Sequence, residues 1–289
     1  MPMGGISHWT VDSPTTMEFD GVTALRVRLV SGSVAVLAAE GTSSLEVSSI
    51  EGDPLQVTFE NGLLTIAHEN LSWDGLLKWL RPQRHAATVT VSVPRKCPAQ
   101  VGVVNAAAVV SGIGSRTSVK SVSGGITLDG VAGEVDANTV SAPLEAQGIN
   151  GRLNFSTVSG DLTLADGWVE RLDANAVSGD VTADVDLDPL GGMNVTTVSG
   201  EVMLRLPAEA DAQVNLHSVS GDVRSEFAEL RRSSAPASRS VSGSLGAGSG
   251  HVSVTTMSGR VMLLRRAGSP DPRTDRRPDN ENEMEGEAS

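Results

Sequence analysis

The tripeptide Val-Ser-Gly, or a near variant, recurs along the chain and closes on Gly32, Gly112, Gly124, Gly160, Gly179, Gly200, Gly221, Gly243 and Gly259. Ala142 stands in the glycine's place once. From Gly124 to Gly243 the steps are 18, 18, 19, 21, 21 and 22 residues. A period near 20 residues marks a stacked-repeat protein, because one such unit cannot bury its apolar face alone.

With the Val of each motif as position 0, apolar residues fall at −5, −3, 0, +4 and +6. Leu153, Phe155, Val158, Leu162 and Leu164 fill this template, as do Met193, Val195, Val198, Val202 and Leu204, and Val252, Val254, Met257, Val261 and Leu263. The Val241 unit is degraded, with Pro236 and Ser238 at its first two positions. Steps of two indicate strands with one buried face. The single step of three predicts a corner between −3 and 0, turned by small polar pairs such as Ser156 and Thr157, with the Val facing inward again. The inward glycine at +2 allows a bend or close approach of a neighbouring backbone.

The expected fold is all-β: a single-chain β-solenoid (β-helix) of about 18–22 residues per rung, its units stacked about 4.8 Å apart. Antiparallel hairpins would instead show turn signals every 8–12 residues and no motif held in phase. The expected organisation is an N-terminal extension (1–20), β-rich N-terminal rungs and cap (21–100) with an insertion at 70–87, solenoid repeats (101–266) and a disordered acidic tail (267–289). Leu55 to Ile66 reads as a hairpin around Asn61-Gly62. The tail, rich in Pro, Gly, Asp and Glu, lacks the apolar content to offset its ordering entropy.

Composition narrows the function. Aromatics are only 3% and Tyr is absent, which suits a thin core. A net charge of −13 argues against nucleic acid as a partner, since little basic surface is available for phosphates. One cysteine, Cys97, cannot form an intramolecular disulfide. The N-terminus lacks a basic n-region and apolar core, and no stretch reaches 18 apolar residues. The expectation is a cytoplasmic protein without a signal peptide or transmembrane segment.

The repeated Val-Ser-Gly-Asp-Val or -Leu units (Val158 to Leu162, Val177 to Val181, Val219 to Val223) resemble a bacterial β-strand-repeat family of unknown function that carries an adhesin label. The N-terminal run Leu25 to Val36 and the strand Val89 to Pro94 share in the resemblance, which covers roughly residues 20 to 266. It implies a β-strand-repeat architecture and surface attachment, hence a cell-surface location, and brings no catalytic residues with it.

Candidate chemistry is sparse. Position +3 reads Asp161, Asp180, Glu201 and Asp222, expected as an acidic ladder on four successive rungs and as a solvated stripe rather than a cation site. The serines at +1 lack a repeating histidine partner and are expected to stack beside a bend. The five histidines show no metal-ligand spacing, so no catalytic, cofactor or metal residue is assigned. One segment breaks the repeat: Trp73, Leu76, Leu77, Lys78, Trp79, Leu80, Arg81 and Arg84 form a candidate interaction patch. It suits a plug over the stack or a docking surface for a protein or membrane. The expected function is a non-enzymatic scaffold or binding module for an unknown protein or surface ligand, with peripheral membrane contact and oligomeric state open. A self-assembling cytoplasmic structural protein is the alternative, and a carbohydrate-active β-helix enzyme a second.

Overall fold

The computed structural model describes residues 6–68, 85–235 and 238–266. These residues are all-β, and no helix occurs among them. Parallel pairing dominates the repeat region, with an offset close to the sequence period. Ala132–Thr139 pairs in register with Asn150–Thr157, so that Val135 lies beside Leu153 and Ala137 beside Phe155. Asn150–Thr157 pairs in turn with residues 168–176, and those with residues 192–197. A second column of strands is built from the +4 to +7 segments: residues 126–129, 144–147, 162–165, 181–184 and 202–205 stack in the same sense. Inward side chains of both columns form one continuous core. Phe155 is among its largest fully buried side chains, and Val, Leu, Ile and Ala supply most of the rest.

Two corners join the columns. The second, unread in the sequence, places Gly112, Gly130, Gly148 and Asp166 in the left-handed region, with φ between +51° and +72°. The amides of Gly112, Gly130 and Gly148 each donate to a carbonyl of the next rung, and Ile113, Val131 and Ile149 stack inside the turn.

The first corner differs from the sequence expectation. Position −1, not position 0, continues the buried alternation: Thr139, Thr157, Ala176, Thr197, Ser218 and Thr256 are all buried. Position 0 points outward, and Val140, Val158, Val177, Val198, Val219 and Met257 are between 43 and 57% exposed. The step of three thus falls between −1 and +2. The polar −1 residue can be buried because its hydroxyl is used. Thr157 Oγ1 accepts the Gly160 amide at 2.8 Å, Thr197 that of Gly200 at 3.0 Å, and Thr256 that of Gly259 at 2.9 Å. A buried turn amide left without such an acceptor costs roughly 1–3 kcal/mol.

The glycine at +2 is required by contact between rungs. A Cβ on Gly160, Gly179, Gly200 or Gly259 would lie 1.8–2.0 Å from the carbonyl oxygen of Ala142, Gly160, Gly179 or Gly200 respectively. The column continues toward the N-terminus as Gly124, Ala106, Gly32 and Ala87, where each glycine again meets an alanine carbonyl.

Spatial order departs from chain order at the C-terminal end. Gly250–Thr256 lies between residues 192–197 and Ala212–Ser218, parallel to both. Val261–Arg266 likewise lies between Val202–Pro207 and Val223–Ser225. The last repeat, with its complete apolar template, takes an interior slot in which both edges of its backbone are paired. The Val219 unit, with Ser225 at +6, is displaced to the end. The degraded Val241 unit forms no rung: Ser238–Leu245 runs antiparallel on Ala212–Ser218, and Arg231–Ala235 runs antiparallel on it.

The other end is closed in the same manner. Ala24–Ala38 stacks parallel on Ala99–Ser111 and carries Leu63–His68 and Ala86–Val93 on its other edge. Leu55–Glu60 folds back on Leu63–His68 through Asn61 and Gly62, both at positive φ, as the Asn-Gly pair predicts. Ser7–Val11 and Thr15–Phe19 add antiparallel edges, and Phe19 touches the rings of Trp9 and Phe59 across the end.

Candidate functional site

The Val-Ser-Gly corner stacks its residues into three parallel lines on one edge of the molecule. The inner line is the glycine column. In the middle line the serine hydroxyls donate to the carbonyl of the position-0 residue on the neighbouring rung: Ser141 to Val122, Ser159 to Val140, Ser178 to Val158, Ser199 to Val177, Ser258 to Val198 and Ser220 to Met257. These contacts of 3.0–3.4 Å supplement amide bonds to the same carbonyls. The serines therefore tie rung to rung, as small hydroxyls beside a bend should.

The outer line is the position-0 column, which the sequence reading placed in the core. In spatial order it runs Val140, Val158, Val177, Val198, Met257, Val219, five spacings or about 24 Å. It is the largest feature that sequence reasoning missed. The available signal was the hydroxyl residue at −1, which a buried turn uses and an outward corner does not need.

The four carboxylates of the expected ladder do not sit on successive rungs. The inserted last repeat places Arg260 between Glu201 and Asp222, since the Val202 amide donates to the Arg260 carbonyl and the Val261 amide to that of Asp222. The Arg260 guanidinium lies 3.6 Å from Glu201 Oε1. Two other members are engaged by backbone: Asp161 Oδ1 accepts the Asp180 amide at 2.9 Å, and Asp180 Oδ1 the Glu201 amide at 2.7 Å. Asp222 pairs with Arg224 at 2.6 Å, which holds its carboxyl below the usual carboxylate range. The column is a chain of ion pairs and amide caps in place of an open row of charge. Among the described residues no cluster of His, Cys, Asp or Glu is arranged to hold a metal ion.

The interaction patch at Trp73, Leu76, Leu77, Lys78, Trp79, Leu80, Arg81 and Arg84 lies outside the described residues, as do the tail from 267 and most of the 70–87 insertion. The two residues that bracket the patch are described. His68 is buried, its Nδ1 accepts the Val30 amide at 3.3 Å, and its ring lies 6.1 Å from that of His85. Burial chiefly, and His85 beside it, lower the His68 pKa to about 4, against a smaller opposing pull from Asp53. Cys97 is buried, and desolvation pushes its thiol up to about 11, which leaves it a poor nucleophile.

The stacked arms from Ala99 onward and the corner glycines from Gly112 to Gly259 fall within the span that the Toastrack DUF4097 profile matches, residues 61–264. The chain belongs to this family. No curated protein matches it. Among solved structures, a Parabacteroides distasonis protein labelled as lipid binding is similar at 14% identity and a TM-score of 0.49, over 87% of this chain and 96% of that one. A second protein from the same species, labelled an adhesin, is 12% identical at a TM-score of 0.38, over 91% and 98%. A Clostridium sporogenes protein labelled for cell adhesion is 10% identical at 0.24, over 91% and 100%. At TM-scores below 0.5 these likenesses do not bear on what this Toastrack chain does. No helix among its described residues is long and apolar enough to cross a membrane.

Proposed function

We propose that this Toastrack protein is a non-enzymatic binding module, a β-solenoid of about 18–22 residues per rung that holds an apolar ridge rigid for an extended partner. One observation carries the reading: the position-0 column of Val and Met, repeated rung after rung, stays about half in water. The fold does not need an apolar side chain there, because Thr or Ser at −1 and Gly at +2 already fill the corner. Lone exposed apolar residues are ordinary, whereas a contiguous line of them marks a binding surface. The adjacent hydroxyls and carboxylates are occupied by rung-to-rung bonds, which favours recognition over chemistry. The antiparallel strands closing both ends, with Arg231 and Arg232 on the outermost one, work against end-to-end polymerisation.

The test is selection of a displayed peptide library on the immobilised full chain, followed by titration on the variant Val158→Ser/Val177→Ser/Val198→Ser. Its melting temperature should stay within a few degrees of wild type, because exposed positions contribute little to stability. Selected peptides should be extended, with alternating apolar residues, and should bind the variant on the order of tenfold more weakly. Peptides that bind both proteins equally would refute the ridge as the contact surface.

A further inference from the structure

Two successive repeats are longer than those before them, and the added residues gather at one place. The step from Gly160 to Gly179 is 19 residues and that from Gly179 to Gly200 is 21, against 18 before them. The register shows where the difference falls. Glu170 is the residue added opposite the Gly151–Arg152 step, and on its other side the four residues Asp188 to Gly191 stand against it alone. Both additions follow the second corner. The excursion is held in place, since the Leu190 amide donates to Asp188 Oδ1 at 3.1 Å and a Cβ on Gly191 would lie 3.0 Å from the Glu170 carbonyl oxygen. Insertions in stacked-repeat proteins collect on one face, often the binding face, and a bulge re-aims the side chains beside it.

Trp168 stands at this place. It lies between buried Gly167 and Val169, faces outward and is 46% exposed. Phe155 and Phe227 are buried, so among the described residues of the repeats Trp168 is the one exposed tryptophan or phenylalanine. Its register partners are Asn150 on one side and Asp186 on the other, two strand spacings or about 9.5 Å from each other. Asp186 Oδ1 lies 3.1 Å from the Arg266 guanidinium. Two residues along each strand, Arg152 Nε donates to Glu170 Oε2 at 3.2 Å in an exposed ion pair. Leu190, 83% exposed, stands in the excursion beyond Glu170. Among the described residues neither the Trp168 indole N–H nor the Asn150 side-chain amide makes a hydrogen bond. An apolar ring is thus bordered by amide, carboxylate and guanidinium groups, with a wall of inserted backbone at one side.

We propose that Trp168 and its neighbours form a non-catalytic sugar subsite that takes one pyranose ring of a neutral, β-1,4-linked hexose chain. In such a sugar the ring hydroxyls are equatorial, so the faces carry only C–H bonds and the rim carries the donors and acceptors. The indole offers the apolar plane that matches the face, and its N–H and the flanking polar groups match the rim. Asn150 and Asp186 stand far enough apart to receive one six-membered ring between their side chains. A protein contact of this size would instead centre its aromatic anchor in a well-packed, water-excluding surround, whereas here charged and amide groups border the indole directly. A chain of net charge −13 repels anionic polymers, which makes the sugar a neutral one. The subsite uses none of the ridge residues, so its failure would leave the ridge reading untouched.

The experiment is calorimetric titration of the full chain with cellohexaose, with hexa-N-acetylchitohexaose and, as the anionic comparison, with polygalacturonate. It is repeated on Trp168→Ala, Trp168→Phe and Asn150→Ala, whose melting temperatures should stay within a few degrees of wild type because the positions are exposed. Saturable binding of either hexasaccharide that Trp168→Ala weakens on the order of tenfold or more, and the other two variants weaken less, supports the subsite. Binding of one hexasaccharide and not the other supports it too and names the sugar. Tryptophan fluorescence gives a second readout: the bound sugar should change the emission of wild type, and the change should vanish in Trp168→Phe while binding persists. Absence of saturable binding by both hexasaccharides overturns the proposal. So does unaltered binding by Trp168→Ala at an unchanged melting temperature, or a preference for polygalacturonate.

Discussion

Replacing Gly200 by alanine should be among the most damaging single-methyl changes in this protein. Its Cβ would lie 1.9 Å from the carbonyl oxygen of Gly179 and 2.7 Å from its carbonyl carbon, both backbone atoms of the neighbouring rung. Relief to about 3.0 Å, the shortest tolerable approach, requires the rungs to part by roughly 1.1 Å. Two amide bonds bracket the contact, Ser199 to the Val177 carbonyl at 3.0 Å and Val181 to the Glu201 carbonyl at 2.9 Å. An ångström of separation takes both beyond hydrogen-bonding distance, at roughly 1 kcal/mol each. Overpacking strain adds roughly 1–3 kcal/mol, giving about 3–5 kcal/mol in all. For a domain of this size that corresponds to a fall in melting temperature of roughly 6–20 °C. Two glycine controls separate clash from conformation. Gly130→Ala meets no atom within 4 Å but sits at φ +58°, so it should cost only about 1 kcal/mol. Gly125→Ala, whose nearest contact would be Pro143 Cγ at 3.8 Å, should be nearly neutral. Calorimetric melting of the three variants gives the ranking, and a Gly200→Ala protein that melts with Gly125→Ala would refute the close-approach argument.

The turn hydroxyls should act through hydrogen bonding. Thr197→Val removes the acceptor of the Gly200 amide and should cost about 1–3 kcal/mol by urea denaturation, while Thr197→Ser keeps the acceptor and costs less. Acid should destabilise the N-terminal end through His68, whose folded pKa of about 4 lies below its ordinary 6.5. Between those values the unfolded chain binds the proton and the folded chain does not, so stability falls as pH drops through that window, by up to roughly 3 kcal/mol. Urea midpoints at pH 7 and 4.5 should therefore diverge more for wild type than for His68→Asn, and equal divergence would exclude His68 as the origin.

Much of the architecture was legible because a motif held in phase predicts parallel stacking in register, and the Asn61-Gly62 hairpin announced itself through turn chemistry. The face of position 0 was not legible. A step of three can sit on either side of a threonine, and only the Gly200 amide on the Thr197 hydroxyl shows which side is buried. Spatial order was hidden for a different reason. A shared template says which arms can lie side by side and leaves open which unit neighbours which, so the slot of Gly250–Thr256, and with it Arg260 beside Glu201, had no linear signature. The poor Val241 template was the one hint that something other than a rung closes that end.

The account rests on parallel rungs with the last repeat inserted between two earlier ones, and paired cysteines test that directly. Asn194 and Ser253 are register partners, as are Ser253 and Asn215, so each pair lies one strand spacing apart, within disulfide range. Asn194 and Asn215 are two spacings apart, about 9.5 Å, beyond the reach of a disulfide. In a Cys97→Ala background under mild oxidant, peptide mass spectrometry should find disulfides in the 194/253 and 215/253 cysteine pairs and none in 194/215. A disulfide between 194 and 215, with none to 253, would mean that the repeats stack in chain order and would contradict the fold described.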